Sequence, residues 1–361
     1  MKIVCVAYLH GRGGAERQIV MLANALAKFG HEVYLLSLAV CNPVYALSSD
    51  VHFIDLSKKE KKFPKTIIRY ISLRKELMNI RPDVSIHFWM QSAYLCTLMP
   101  KSVCGKIVYA ERGDPGDKEY AFVLGVIRWL SFKRIDGFVF QSKGARDYFN
   151  IRIRNRSIVI PNSHSIPDSF LTEPCVEREK IIISVGRLHP QKNHALMIKA
   201  FARIANEISD YNLEIYGDGP LKDSLNKLVD SLGMGRRVSI YPSCSDIFEK
   251  MYKSSLFVLT SDYEGMPNAL MEAMAIGVPC ISTDCKPGGA RELIENAVNG
   301  WIVPCNDVEA LSDKIKFVLN ECADLKLIVK NALMIRVVFS GEKIYDCWSR
   351  FVKKIYMGDY D

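Results

Sequence analysis

The chain has 361 residues, 49% of them hydrophobic and 24% charged, with a net charge of +8. That composition can fill sizeable cores, excludes a disordered chain and favours two domains over one. No run of about 18 apolar residues offers a membrane span. Eleven scattered cysteines without a CxxC pair argue for reduced thiols, not for a disulfide framework or zinc site.

The opening residues, KIVCVAYL, predict a buried strand, since a secretory leader would need a longer apolar core. AERQIVMLANALAKFG then carries a helical period and stops at Gly30, and HEVYLLSL predicts a second strand. Strands follow at DVSIHFW, KIVYAE, GFVFQS and SIVIPN, with helical segments between them. Residues 161–180, PNSHSIPDSFLTEPCVEREK, hold three prolines and no helical period, so they read as a linker. The alternation then restarts. Strands are predicted at IIISVG, NLEIYG, RVSIYP, SLFVLTS, VPCISTD and GWIVP. Helices are predicted at NHALMIKAFARIANEI, PLKDSLNKLVDSLG, NALMEAMAIG and DVEALSDKIKFVLN. A basic, aromatic helix, GEKIYDCWSRFVKKIY, comes after the second core is complete. The expected fold is α/β: two Rossmann-like, doubly wound domains facing across a cleft, at residues 1–165 and 166–340. Ligands of such sheets sit beyond the carboxyl ends of the strands.

The positive charge is uneven. Residues 58–81 hold nine Lys/Arg against two Glu, and residues 128–156 hold eight against Asp136 and Asp147. A solvated helix face is the plain explanation. Attraction to an anionic membrane surface is the functional one. No nucleic-acid-binding signature accompanies the charge, so nucleic acid is not expected as a partner.

Four loops carry chemistry. Gly11, Gly13 and Gly14 lie between the first strand and helix. The third glycine of a dinucleotide fingerprint falls on Glu16, and no acid ends the second strand, which argues against a nicotinamide cofactor. A tight turn, or a backbone-rich loop closing on a ligand, remains. The second loop is SVGRLHPQKN, where Arg187 and Lys192 suit phosphate oxygens, unless they are merely two surface charges. The third, YGDGP, places Gly217 and Gly219 where a backbone must come close. The fourth is SDYEGMPNALMEAMAIGVPC. Its helix start, within residues 266–270, offers free amides to an anion, which makes Gly265, Met266, Pro267, Asn268 and Ala269 candidate binding positions. Glu264 and Glu272 could be an ordinary exposed pair, but Glu272 sits among apolar residues, where a carboxylate needs partners such as ribose hydroxyls.

Together GGAER, SVGRLHPQKN, YGDGP, the E-x7-E of Glu264 and Glu272, and GGARELIENAVNGWIVPCND resemble the retaining glycosyltransferases of family 4, which have the GT-B fold. The resemblance covers nearly the whole chain and is densest over 181–307. It implies a nucleoside diphosphate sugar, UDP-linked or GDP-linked, held mainly by the second domain. Arg187 and Lys192 would take the diphosphate, Glu272 the ribose and Glu264 the sugar. Gly13 and Gly14 would line the first domain's side, and the last helix, within residues 341–361, would return to the first domain. Many relatives carry a His on an N-terminal-domain loop near the reacting sugar. Here that loop reads YAERGDP, with Arg112 at the position. The resemblance implies no metal, and the chain's one D-x-D motif is Asp359-Tyr360-Asp361 at its tail. The expected enzyme transfers a hexose or N-acetylhexosamine to a lipid-linked or growing glycan on the cytoplasmic face of a membrane. A soluble transferase of small acceptors, a GT-B epimerase, or a non-catalytic nucleotide-sugar-binding protein are the alternatives.

Overall fold

The computed structural model describes residues 1–11, 13–39, 45–57, 65–117, 123–171, 173–175 and 177–359, with Val123 as backbone only. Arg12, Cys41, residues 58–64 of the basic segment and the last two residues of the tail D-x-D lie outside it. The chain divides into two compact units, Met1–Ser163 with Gly341–Asp361, and His164–Ser340.

The first unit holds seven strands: Lys2–Ala7 (β1), Glu32–Ser37 (β2), Val51–Asp55 (β3), Val84–His87 (β4), Lys106–Ala110 (β5), Gly137–Phe140 (β6) and Ser157–Val159 (β7). They form one sheet in the order β3-β2-β1-β4-β5-β6-β7, all parallel. The second unit holds Glu179–Val185 (β8), Asn212–Tyr216 (β9), Val238–Tyr241 (β10), Ser254–Leu259 (β11), Cys280–Thr283 (β12) and Trp301–Val303 (β13). Their order, β10-β9-β8-β11-β12-β13, repeats that winding in parallel. The strands are near-continuous apolar runs because helices cover both faces of each sheet. This is the α/β, twice Rossmann-like architecture expected from the alternation.

One edge strand, β3, carries no such run. VHFID is interrupted by His52 and ends at Asp55, and only Val51 is fully buried, as a sheet edge permits. Over one face of the first sheet, Leu73, Leu77 and Ile80 of helix Lys65–Ile80 join Ala93, Cys96, Met99 and Phe132 in a single core. Over the other, Ile19, Leu22 and Leu26 of helix Gly14–Lys28 meet Ile344, Trp348, Val352 and Ile355 of helix Gly341–Met357. The last helix sits so close that a Cβ on Gly137 would lie 2.7 Å from Ile355 Cδ1. The proline-rich segment is more than a tether. Ile166 is buried, the His164 amide donates to Phe339 O (3.1 Å), and Phe170 packs on Phe248 and Tyr252.

Candidate active site

In the second unit the strand order reverses between β8 and β11, and the loops that follow these strands meet at the carboxyl end of the sheet. That reversal is where open α/β sheets open a crevice. After β8 the chain runs through Gly186 and Arg187 into a short 3-10 turn, Pro190–Lys192. Asn193 then takes a left-handed conformation (φ 43°) and caps helix His194–Ile204 by accepting from the Leu196 amide. Its amide nitrogen donates to Asp262 (2.9 Å) and Asn306 (2.8 Å), tying this loop to those after β11 and β13.

The loop after β9 is interlocked with it through backbone alone. The Gly186 amide donates to Tyr216 O (3.0 Å) and the Leu188 amide to Asp218 O (2.9 Å). A Cβ on Gly217 would stand 1.9 Å from Gly186 O, and one on Gly219 would stand 2.3 Å from Leu188 O. Both glycines are therefore required by close approach. Gly265 is crowded in the same way, for a Cβ on Gly289 would lie 2.2 Å from its carbonyl oxygen.

The β8 and β11 loops meet through charge. Lys192 Nζ pairs with Glu264 Oε1, and their side chains are only 15% and 9% exposed. Ser261 Oγ donates to the same carboxylate oxygen (2.7 Å), and Thr260 Oγ1 donates to Lys192 O (3.0 Å). Gln191 Nε2 donates to Tyr263 O (2.8 Å) and its carbonyl accepts the Asp262 amide (2.9 Å). Arg187 is exposed and donates from Nη2 to Gln191 Oε1 (3.2 Å). A largely buried ammonium and an exposed guanidinium thus flank one loop, two kinds of charge that can each address phosphate oxygens.

Helix Asn268–Ala275 begins at Pro267, with no side-chain cap. The Met271 amide is satisfied by Pro267 O (3.1 Å). The three amides before it, at Asn268, Ala269 and Leu270, precede the first helical bond and form the positive end of the helix dipole. Met266 is buried just ahead of them. Glu264 and Glu272 are each 7% exposed, so neither is an ordinary surface carboxylate. Ser165 Oγ is among the partners of Glu272, donating to Oε1 (3.4 Å).

His194, at the start of its helix, is buried with Nδ1 3.4 Å from Ser184 Oγ. Burial and the nearby Lys192 ammonium push its pKa down to about 4, so the ring beneath the loop stays neutral.

The first unit places the other expected residues. Gly13 precedes helix Gly14–Lys28, and its carbonyl accepts from the Arg17 amide (3.0 Å). Glu16 turns back so that its carboxylate accepts from the amides of His10 (3.2 Å) and Gly11 (2.8 Å). A carboxylate already occupies these donors, the physical counterpart of the broken dinucleotide fingerprint. Arg112 follows β5. Its guanidinium lies 3.7 Å over the Phe88 ring and 5.6 Å from the Trp348 ring, and Nη1 donates to Asn162 (2.9 Å). Burial lowers its pKa to about 9. Arg112 thus clasps the last helix to the sheet. Beside it, Glu111 accepts from Tyr109 Oη (2.9 Å), Arg128 Nη2 (3.1 Å) and the Gly113 amide (3.2 Å), fixing the start of this loop.

Ser261, Ser165, Gln191, Asn193 and Gly289 were missed by sequence reasoning. Ser261, Gln191, Asn193 and Gly289 had a signal, as members of the quoted motifs, whereas Ser165 lies in the segment read as a linker. Among the described residues, no group of three His, Cys, Asp or Glu side chains could hold a metal ion.

Two family models match. The one described as Glycosyltransferase Family 4 covers residues 12–164, and the one described as Glycosyl transferases group 1 covers 170–333. A Campylobacter jejuni enzyme, GalNAc-alpha-(1->4)-GalNAc-alpha-(1->3)-diNAcBac-PP-undecaprenol alpha-1,4-N-acetyl-D-galactosaminyltransferase, is 26% identical over 98% of this chain and 99% of its own. A second from that organism, N-acetylgalactosamine-N,N'-diacetylbacillosaminyl-diphospho-undecaprenol 4-alpha-N-acetylgalactosaminyltransferase, is 28% identical over 89% and 90%. Sucrose-phosphate synthase from Thermosynechococcus elongatus superposes with a TM-score of 0.83 at 17% identity, over 99% of this chain and 100% of that one. Anabaena HepE in complex with UDP superposes at 0.78 and 18%, over 98% and 100%. At these identities the structural likeness is one of fold.

Proposed function

The chain belongs to the family 4 glycosyltransferases of GT-B fold, and from that premise we propose that it is a retaining enzyme that takes a hexose or N-acetylhexosamine from a UDP-sugar. GDP-sugars are the second choice of donor. The acceptor is a glycan carried on a polyprenyl diphosphate, at the cytoplasmic face of a membrane. The observation that carries the reading is the buried Lys192–Glu264–Ser261 cluster at the strand-order reversal, beside an uncapped helix start and the buried Glu272. Lys192 and Arg187 offset the charge that grows on the leaving diphosphate as the bond to the anomeric carbon breaks. The acceptor oxygen attacks from the face the diphosphate leaves, and a diphosphate oxygen takes the acceptor's proton. Glu272 binds the ribose hydroxyls, and Glu264 the sugar. No metal is needed for this step.

Both Campylobacter enzymes act, by their names, on undecaprenol-linked substrates, which supports the acceptor. Helix Lys65–Ile80 supports the membrane surface. Ile67, Ile71 and Met78 are exposed among Arg74 and Lys75, giving an apolar face with basic flanks. The test is a thermal-shift and hydrolysis screen against UDP-, GDP- and dTDP-sugars with EDTA present. Stabilisation by a UDP-sugar, and transfer to a polyprenyl diphosphate glycan, are expected. Turnover only on free sugars, or only after Mg²⁺ or Mn²⁺ is restored, overturns the acceptor or the metal-free step respectively.

A further inference from the structure

The helix Val123–Phe132 is packed inside out. Val126, Trp129 and Leu130 recur with Lys133, one residue past its end, at the i, i+3, i+4, i+7 spacing of one helix face. In a helix of a folded domain this stripe should face the core. Here the three apolar side chains are 58%, 58% and 51% exposed. The buried face instead carries Arg128, Ser131 and Phe132. Arg128 donates from Nη1 to Pro115 O (2.7 Å), pairs with Glu111 (3.1 Å), and lies over Phe132 (5.3 Å) and Phe149 (4.9 Å). A buried ion pair therefore fixes the helix with its apolar side outward, where no described part of the chain covers it.

The surroundings say what would cover it. Lys133 Nζ stands 3.6 Å over the Trp129 ring, an indole and ammonium pair suited to the boundary between water and hydrocarbon. Residues 128–156 carry eight Lys/Arg against two Asp; Arg128 and Asp136 are each buried in a pair, with Glu111 and with Lys101 (2.5 Å), which leaves seven Lys/Arg against Asp147. An apolar stripe in so basic a setting repels a second copy of itself and attracts a surface that is both apolar and anionic. Phe132 shares its core with Leu73 and Leu77, so this helix and helix Lys65–Ile80 lie on the same face of the sheet.

We infer that Val126, Trp129 and Leu130 enter the interface of an anionic lipid bilayer, with Lys133 and its basic neighbours at the headgroups. The inference rests on the membrane reading above and adds a component that salt does not screen. Trp129 reports it directly, since Trp301 and Trp348 are buried and Trp89 is half-buried.

The experiment mixes the full chain with phosphatidylglycerol/phosphatidylcholine vesicles whose acyl chains carry bromine. Indole fluorescence should be quenched at low and at high salt, and Trp129→Phe should abolish quenching while the protein still sediments with the vesicles. Val126→Asn with Leu130→Asn should lower partitioning at high salt by about tenfold or more, leaving the melting temperature unchanged or raised. Sedimentation without quenching, or binding lost entirely at high salt, overturns the inference but leaves an electrostatic membrane surface standing. No sedimentation with any vesicle sinks the membrane reading and the inference with it. A dimer in sedimentation velocity that the double variant dissolves, with no quenching by vesicles, assigns the stripe to a second copy and also overturns it.

Discussion

Glu264→Gln separates the structural duty of this carboxylate from its chemical one. In the folded unit Glu264 balances Lys192 and accepts from Ser261. The amide keeps the shape and one acceptor oxygen but removes the charge. Breaking a buried pair costs about 3–5 kcal/mol and an exposed one about 0–1. Lys192 is 15% exposed and still finds a neutral acceptor, so a loss of about 2 kcal/mol is expected at neutral pH. A bound diphosphate supplies the orphaned ammonium with a new anion. Nucleotide affinity should therefore be unchanged or improved, and the stabilisation on adding UDP should be no smaller than in the parent. Transfer should fall, because a charge-assisted bond to the sugar, about 1.5–3 kcal/mol, is lost in the transition state. That corresponds to roughly 10- to 150-fold in kcat/KM. Glu272→Gln is the mirror case, with UDP affinity falling about tenfold or more. Urea denaturation, calorimetry with UDP and a transfer assay on both variants read the three quantities. Wild-type transfer by Glu264→Gln would reduce this carboxylate to a counter-ion of the fold. Normal UDP binding by both variants would refute the donor-site assignment.

Gly217→Ala should drive its Cβ into Gly186 O, shift the loop that carries Arg187 and Lys192, and abolish donor binding; circular dichroism with UDP calorimetry distinguishes this from global unfolding. The neutral His194 ring takes up its proton near pH 4 in the folded chain and near 6.5 in the unfolded one. The unfolded state binds more protons between these values, so stability present above about pH 6.5 declines toward pH 4, by up to ~1.4 kcal/mol per pH unit. His87, lowered to about 3 by burial, acts in the same direction; urea midpoints across this range should show a shallower slope in His194→Gln. Arg112→Ala should lower the melting temperature, through lost stacking on Phe88 and Trp348, and should lower turnover more than donor affinity. An altered melting temperature with parental turnover would confine Arg112 to holding the last helix.

The alternation of apolar runs made both sheets legible, and so did the glycines, whose absent side chains the backbone contacts at Gly217 and Gly219 demand. Strand β3 was not legible, since an edge strand with His52 exposed and Asp55 half-buried has no apolar run to find. The apolar setting of Glu272 was visible in the sequence, but its Ser165 partner lies in a segment whose prolines read as a linker. The Lys192–Glu264 pair joins residues 72 positions apart. Its contact depends on β8 and β11 being neighbours in the sheet, which spacing alone does not report. The outward stripe on helix Val123–Phe132 misleads for a related reason. A helical period identifies the apolar face but not the direction in which it points.

The packing of helix Gly341–Met357 against the first sheet has a consequence for the order in which the protein matures during synthesis. The second unit is one uninterrupted stretch, His164–Ser340, and can close its core once that stretch has left the ribosome. The first unit cannot. Val4 and its neighbours on one face are covered early, and helix Gly14–Lys28 covers part of the other, but that second core is completed only when Trp348, Val352 and Ile355 arrive, with Ile355 lying against Gly137 of β6. The half translated first is therefore the half completed last, and its partly covered sheet face is the surface a chaperone would find on a nascent or truncated chain.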